Sequence, residues 1–571
     1  MQAKNPILPG CYPDPSICRV GDDYYLVLST FEYLPGLPIF HSRDLANWTQ
    51  IGHVLDREGM MNFDGIKSSN GIFAPTLRHN PRDNKFYLVC TLVGSVADQY
   101  GQSENSGPRG GNFIVTADHP SGPWSDPIWL NKPGIDPSLF FDDDGRVWLH
   151  GTRLAEPGEW FHQTEVWLQE LDPVTLQPIG EEHILWSGAV RGAVWCEGPH
   201  LYRIGDYYYL LTAEGGTEFH HAISISRSRA VTGPYEGNKC NPIFTHRNLG
   251  RNYPIMGIGH ADLVPFGSAD WSNPAVTSPD AGGWFAVMLG MRLYGGYHYN
   301  LGRETFLVPV TWEDDWPVFA LGAGRVPDAV DIPVHPAIAA AQPASAPTIT
   351  PTVTAPQPTS APTVILRQAH RAQNAESPTV PPTDLRWSAV RTLPTTIATP
   401  SGEAWRMPLR SVPLSERGIS SFLGIRQTDQ NCQVEITVDT SKLQVGDWAG
   451  IAIRQSEKDY ATIMASPIPG LPNNYHIHTE LMEKGTARLL ESQNLAIADN
   501  PLVFTLDVIG QDYHAFLNTS SGKVPVGTID GRTLDTAAAG GFLGLWIGVY
   551  GVAANPNPNS EIPATLKYSP R

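Results

Sequence analysis

Asp136-Pro-Ser-Leu-Phe-Phe-Asp-Asp-Asp-Gly-Arg-Val-Trp, residues 136–148, reads as a polar-Pro start, a β-rich run, an Asp/Gly turn and a second aromatic-rich run. The same phrase opens at Asp14-Pro-Ser-Ile, Ala74-Pro-Thr-Leu, Gly198-Pro-His-Leu and His260-Ala-Asp-Leu. Its apolar fourth positions are Ile17, Leu77, Leu139, Leu201 and Leu263, spaced by 60, 62, 62 and 62 residues. A unit of this size holds several strands, and radial repetition of such units protects the sheet edges, so five units predict five propeller blades. In a propeller the inner strands converge on one axis. Their first residues therefore face one another across a small cavity.

Those first residues are Asp14, Ala74, Asp136, Gly198 (preceded by Glu197) and His260. Three carboxylates and an imidazole are thus expected near one axis. A unit that only filled a core would place small apolar groups there, because a buried unpaired carboxylate costs several kcal/mol. Asp-Pro is also a common turn opener, which explains a single acid but poorly explains three at matching repeat positions.

The rest of the chain bounds the answer. At 571 residues it exceeds one core. A net charge of −18, with no basic cluster and no Gly-rich phosphate loop, disfavours nucleic-acid partners. No stretch approaches the roughly 20 apolar residues of a membrane-spanning helix. The 16 Trp, 20 Tyr and 19 Phe suit β-sheet packing, and exposed ones also suit the apolar faces of sugar rings. Six scattered cysteines (Cys11, Cys18, Cys90, Cys196, Cys240, Cys432) form no CxxC pair and read as free thiols. Cys196 beside Glu197 lacks the His-rich context of a nucleophile and reads as a packed thiol. The start Met-Gln-Ala-Lys-Asn-Pro has no apolar signal core: the protein is cytoplasmic if Met1 is the native start, and secreted if a signal was trimmed.

Blade-like patterning ends near Trp316-Pro-Val-Phe. Six uncharged prolines' worth of Ala/Ser/Thr-rich chain follows between Pro343 and Pro362, an extended spacer that cannot bury a core. Alternating runs then resume at Cys432-Gln-Val-Glu-Ile-Thr-Val-Asp, Gly450-Ile-Ala-Ile-Arg, Tyr475-His-Ile-His-Thr and Leu502-Val-Phe-Thr-Leu-Asp-Val. They predict antiparallel strands with one buried face, assembled as a jelly-roll-like β-sandwich. The expected organisation is all-β: a five-bladed β-propeller over 1–325, a linker over 326–383 and a β-sandwich over 384–571.

Several long motifs carry a family resemblance. Tyr12-Pro-Asp-Pro-Ser-Ile, Ser29-Thr-Phe-Glu-Tyr, Pro35-Gly-Leu-Pro-Ile-Phe-His-Ser-Arg-Asp-Leu-Ala-Asn-Trp, Cys196-Glu-Gly-Pro-His-Leu-Tyr, Ala213-Glu-Gly-Gly-Thr and Asn300-Leu-Gly-Arg-Glu-Thr-Phe-Leu resemble family 43 glycoside hydrolases. The likeness is to the two-domain β-xylosidases and α-L-arabinofuranosidases. It implies that Asp14 is the general base, Glu197 the general acid and Asp136 the acid that tunes and orients Glu197. It implies that Arg292, in Gly-Met-Arg-Leu-Tyr, lies by the non-reducing sugar and that Phe31 is a pocket wall. His260 corresponds to an axial histidine that organises water or, in some members, a metal. No cofactor is required by that resemblance, although a divalent cation such as calcium near His260 is compatible with it. The family usually has tryptophan where Phe73 stands, which alters the wall beside the sugar. Each secondary residue also has a plainer reading: His260 as a hydrogen-bonded inner-strand residue, Arg292 as an interstrand ion-pair partner, Phe31 and Phe73 as propeller packing.

The resemblance implies inverting release of terminal β-D-xylosyl, and also α-L-arabinofuranosyl, units from xylan or arabinoxylan oligosaccharides. Inversion needs two carboxyls about 6.5–9.5 Å apart with a water between. A dedicated arabinofuranosidase, a catalytically silent carbohydrate-binding propeller and a retaining fructosidase are the competing readings.

Overall fold

The computed structural model describes residues 1–94, 110–267, 282–333, 379–555 and 560–571. Five antiparallel sheets succeed one another along the first 319 residues, each in simple meander order. Their inner strands are Ser16–Val20, Thr76–Asn80, Ile135–Phe141, Glu197–Ile204 and Ile255–Gly267. Each overlaps a repeat phrase, so the repeat marks the blades. Blade two also takes the two-residue strand Gly71–Ile72 onto Lys85–Val93. Apolar side chains fill the seams between neighbouring blades. Ile17 and Leu26 of blade one, for example, share a cluster with Val264, Phe285 and Val287 of blade five. The chain start ties the ring together: Gln2–Lys4 pairs with Ala329–Asp331, and the Asn5 amide donates to the carbonyls of Leu307 and Pro327.

Ala329–Asp331 and Val380 stand inside the span 326–383 that composition marks as linker. The first is paired to the propeller, and the second is buried in the sandwich core. The Pro-rich stretch between Pro343 and Pro362 lies outside the described residues.

The C-terminal unit is a β-sandwich of an eight-stranded and a seven-stranded sheet. In the seven-stranded sheet Asn431–Val438 alternates buried and exposed residues as its sequence predicts, because one face meets the core and the other meets water. Trp448–Arg454 departs from that expectation: from Ala449 to Arg454 every residue is buried. Its sheet lies between the other sheet and the propeller, so both faces are covered.

That docking is extensive. Tyr33–Leu34, from the first blade, joins the eight-stranded sheet as its edge strand beside Ser388–Val390. The Tyr33 ring stacks on Trp546 with centroids 3.9 Å apart and planes 5° apart. Arg454, fully buried, donates to Glu32 at 3.1 Å, to the Tyr33 hydroxyl at 2.7 Å and to Ser68 at 2.8 Å. At Gly302 and Gly544 the two backbones nearly touch. A Cβ on Gly302 would lie 2.7 Å from the Gly544 nitrogen, so neither position has room for a side chain.

Candidate active site

The acids reach the axis through a shared backbone device. Asp14, Asp136, Gly198 and His260 hold φ values of 55°, 52°, 57° and 50°. These are four of the five equivalent repeat positions. The left-handed conformation costs a non-glycine residue roughly 1–2 kcal/mol and persists only where the surrounding structure fixes it. In blades three, four and five it coincides with a break in strand register: between Ile135 and Ser138, Glu197 and His200, and Gly259 and Asp262. Each break turns a side chain out of the ladder and toward the axis. At Gly198 a Cβ would sit 3.0 Å from the His260 ring, so this position must stay bare. The acid of blade four accordingly comes from the preceding residue, Glu197.

Asp14, Asp136, Glu197 and His260 line one cavity of about 440 Å³. Asp14 accepts from the Arg303 guanidinium at 2.7 Å and from the Ser29 hydroxyl at 2.5 Å, and His260 Nδ1 stands 3.9 Å from its Oδ1. Asp136 Oδ2 accepts from the Gly198 N–H at 3.0 Å. Burial, then the charges of Asp136 and Asp14, push the Glu197 carboxyl well above the usual carboxylate range, with Arg303 opposing. Burial also raises Asp136, against the pull of His260, the Gly198 N–H and Arg303, while Asp14 adds to the rise. The site therefore favours a protonated Glu197 beside an ion-paired Asp14. Asp136 and Glu197 therefore titrate as a pair.

Phe31 and Phe73 form the wall, meeting edge to face at 5.5 Å. Phe542, from the sandwich, completes it: its ring lies 5.9 Å from each of theirs. The Arg303 guanidinium stands 5.4 Å from the ring centres of both Phe31 and Phe542. The sandwich thus supplies part of the pocket.

Arg292 is not in this cavity, which corrects the sequence assignment. It ends the strand Gly282–Arg292 and forks onto Glu304 of the neighbouring strand at 2.6 and 2.7 Å. Glu304 is fully buried and needs that partner, so Arg292 is an interstrand ion-pair residue. The arginine at the pocket is Arg303, inside the quoted motif Asn300-Leu-Gly-Arg-Glu-Thr-Phe-Leu. Two further wall residues that the sequence reading missed are Phe542 and Trp195.

Two residues deeper, the repeat positions carry Ser16, Ser138, His200 and Asp262, which close the axis. Asp262 accepts from Ser16, from Tyr202 at 2.6 Å and from Arg78 at 2.9 Å. Arg78 also donates to His200 at 3.1 Å. Burial opposes the Asp262 charge, but Arg78 and these bonds hold its carboxyl below the usual range, and burial brings the His200 imidazole down to about 3. Among the described residues no group of three acids, histidines or cysteines is arranged to hold a metal ion.

An axial pocket with an aromatic wall, two contrasting carboxyl environments and a third acid beside them suits acid–base chemistry. Comparison with known proteins gives its class. The chain belongs to the glycosyl hydrolases family 43, whose sequence profile matches residues 3–317, and residues 379–568 match the β-xylosidase C-terminal concanavalin A-like domain. A xylosidase/arabinosidase of Butyrivibrio fibrisolvens is 37% identical over 559 residues, spanning 96% of this chain and 95% of that protein. A non-reducing end α-L-arabinofuranosidase of Bacteroides ovatus is 34% identical over 575 residues, spanning 97% and 93%. The crystal structure of a xylan β-1,4-xylosidase from Bacillus halodurans C-125 superimposes with a TM-score of 0.81 at 28% identity, covering 99% of this chain and all of that one. The protein is a glycoside hydrolase with the propeller-plus-sandwich architecture of these relatives. Membership sets aside the silent-lectin and retaining-fructosidase readings.

Proposed function

We propose that this enzyme releases terminal β-D-xylosyl units, and α-L-arabinofuranosyl units, from xylan or arabinoxylan oligosaccharides with inversion. The observation that carries the roles is the opposed setting of Asp14 and Glu197. Asp14 is the partner of a buried guanidinium, whereas Glu197 is driven toward its neutral form. Pairs of carboxyls whose environments differ in this way divide into base and acid. In the proposed reaction Asp14 removes a proton from a water that attacks the anomeric carbon. Glu197 delivers its proton to the glycosidic oxygen on the opposite side. The anomeric C–O bond breaks as the new one forms, leaving Asp14 protonated and Glu197 ionised until solvent resets both. Asp136 keeps Glu197 protonated and, through the Gly198 amide, fixed in direction. The closed axis beneath supports action on a chain terminus, since a polymer cannot thread through.

Both activities have support. The relatives named above carry xylosidase and arabinofuranosidase names, and Phe73 with Phe542 makes a wall of two single rings beside Phe31. Rates measured side by side on aryl β-xyloside and aryl α-arabinofuranoside test the choice, with the product anomer followed by NMR from xylobiose. Turnover of the arabinoside alone makes the enzyme a dedicated arabinofuranosidase. Initial formation of β-xylose from xylobiose, meaning retention, overturns the mechanism.

A further inference from the structure

Blade three holds the peptide groups on both sides of Glu197. After it, the Gly198 N–H donates to Asp136 at 3.0 Å. Before it, the Cys196 carbonyl accepts from two hydroxyls, Thr152 at 2.6 Å and Thr164 at 2.9 Å. The two threonines stand on neighbouring strands, Val147–Leu154 and Thr164–Leu171, where Thr152 pairs with Val166 and Leu154 with Thr164. Cross-strand partners and residues two apart share a face, so both hydroxyls belong to one face of the sheet. That face meets an apolar seam, in which Val166 and Leu168 pack with Cys196, Leu201 and Leu210 of blade four. Thr152 and Thr164 are 1% and 2% exposed. A buried hydroxyl costs free energy unless it is hydrogen-bonded, and valine has nearly the same shape, so packing alone gives no reason for oxygen at either position. For Thr152 the other acceptor, the Glu165 carbonyl, is distant at 3.4 Å. One donor would satisfy the Cys196 carbonyl; two, from different strands, occupy both its lone pairs and fix its direction.

We infer that Thr152 and Thr164 are positioning residues for the general acid, holding the backbone of Glu197 on the side that Asp136 does not reach. This rests on the role of Glu197 proposed above and deepens it. Planar peptides leave each residue two soft dihedrals. For Glu197, rotation about N–Cα swings the Cys196 carbonyl, and rotation about Cα–C swings the Gly198 N–H. The threonines therefore hold the first dihedral and Asp136 the second. Together they fix the Cα–Cβ direction from which the carboxyl enters the cavity. The strand cannot do this alone, because its register breaks between Glu197 and His200. The threonines exchange no proton with substrate; they reach the reaction only through the aim of Glu197. A small swing of that carboxyl costs rate where the leaving oxygen needs its proton, and little where it does not.

The test compares kcat/KM on xylobiose, whose leaving sugar needs protonation, with a dinitrophenyl β-xyloside, whose leaving group does not. Thr152→Val and Thr164→Val are each expected to lower the xylobiose-to-aryl ratio about 3- to 10-fold, and the two together about 10- to 100-fold. Thr152→Ser and Thr164→Ser keep a hydroxyl and should restore the ratio, whatever their effect on Tm. The single variants decide the matter if the double one does not fold. Equal losses on both substrates, an unchanged ratio in both valine variants, or serine variants that behave like the valine ones overturn the clamp and leave the threonines as packing residues. Glu197→Ala measured alongside separates the two readings. If it damages both substrates equally, Glu197 is not the acid and the clamp falls with it; if it splits them and the valine variants do not, the clamp alone fails. Should the enzyme cleave only arabinofuranosides, the same comparison is made between a dinitrophenyl α-arabinofuranoside and an arabinoxylan oligosaccharide, with the same outcomes deciding it.

Discussion

Oδ2 of Asp136 accepts a 3.0 Å hydrogen bond from the backbone N–H of Gly198, the residue that follows Glu197. One carboxylate thus acts on the acid twice, through its charge and through the backbone that aims it. The charge raises the affinity of Glu197 for its proton. In Asp136→Asn the carboxamide oxygen retains an acceptor for Gly198 while the charge disappears. The Glu197 carboxyl then titrates at lower pH, and once ionised it cannot protonate a leaving oxygen. The alkaline limb of kcat/KM against pH should therefore move toward acid, with kcat at the optimum falling about 10- to 100-fold from imperfect positioning. An alkaline limb that stays in place reduces Asp136 to a structural residue.

The two outer acids should fail differently. Without Glu197 the leaving oxygen departs unprotonated, which an activated aryl group tolerates and a sugar does not. Glu197→Ala should cost xylobiose hydrolysis about 10²–10⁴-fold and cost a dinitrophenyl xyloside far less. Asp14→Ala should abolish both alike, because no leaving group replaces the activated water. Equal damage to both substrates from Glu197→Ala refutes its role as the acid.

The blades were legible because each repeats the same phrase, and the acids were legible because the repeat placed them in register. Asp14, Asp136 and His260 meet at one cavity for that reason, and Glu197 joins them one residue off register because Gly198 must clear the His260 ring. The arginine was harder. Arg292 and Arg303 sit at the ends of neighbouring strands of one blade, and sequence offers two cations within a dozen residues. Only the packing shows that buried Glu304 claims the first, leaving the second for Asp14. Phe542 had no local signal at all. Its place in the pocket depends on how the sandwich docks, a contact between segments far apart in the chain. The same docking buries the outer face of Trp448–Arg454, which alternation alone had marked as half exposed.

Those two arginines can be separated by what each variant damages. Arg303→Lys keeps a charge but loses the planar fork against Asp14 and between the Phe31 and Phe542 rings. It should lower kcat/KM at least 100-fold with a small change in Tm. Arg292→Met should spare KM but strand the Glu304 carboxylate, for which removal of one partner of a fully buried pair costs roughly 3–5 kcal/mol. The cost here should be smaller because the Arg292 side chain is 28% exposed. Adding Glu304→Gln should recover part of the lost Tm. A large KM effect from Arg292→Met with intact stability would return Arg292 to the substrate.

The sandwich should prove necessary to both the fold and the chemistry, and two variants can tell these apart. A chain ending at Pro333 would expose Tyr33, leave Glu32 buried in the first blade without Arg454, and open the wall that Phe542 closes. It is expected to be poorly soluble, and inactive where soluble. Phe542→Ala removes only the ring. The side chain is part-buried and borders the cavity, so the fold should tolerate its loss with a Tm drop of a few degrees, while kcat/KM falls about 10-fold or more as water enters beside the sugar. Arg454→Met instead acts on the interface: it removes the guanidinium that pairs with the buried Glu32 carboxylate and should destabilise by up to about 3–5 kcal/mol. The activity of any folded Arg454→Met enzyme at low temperature should remain above that of Phe542→Ala, because the pocket lining is unaltered. Full activity from the isolated propeller would show that Phe542 is a bystander and that the two domains are merely joined.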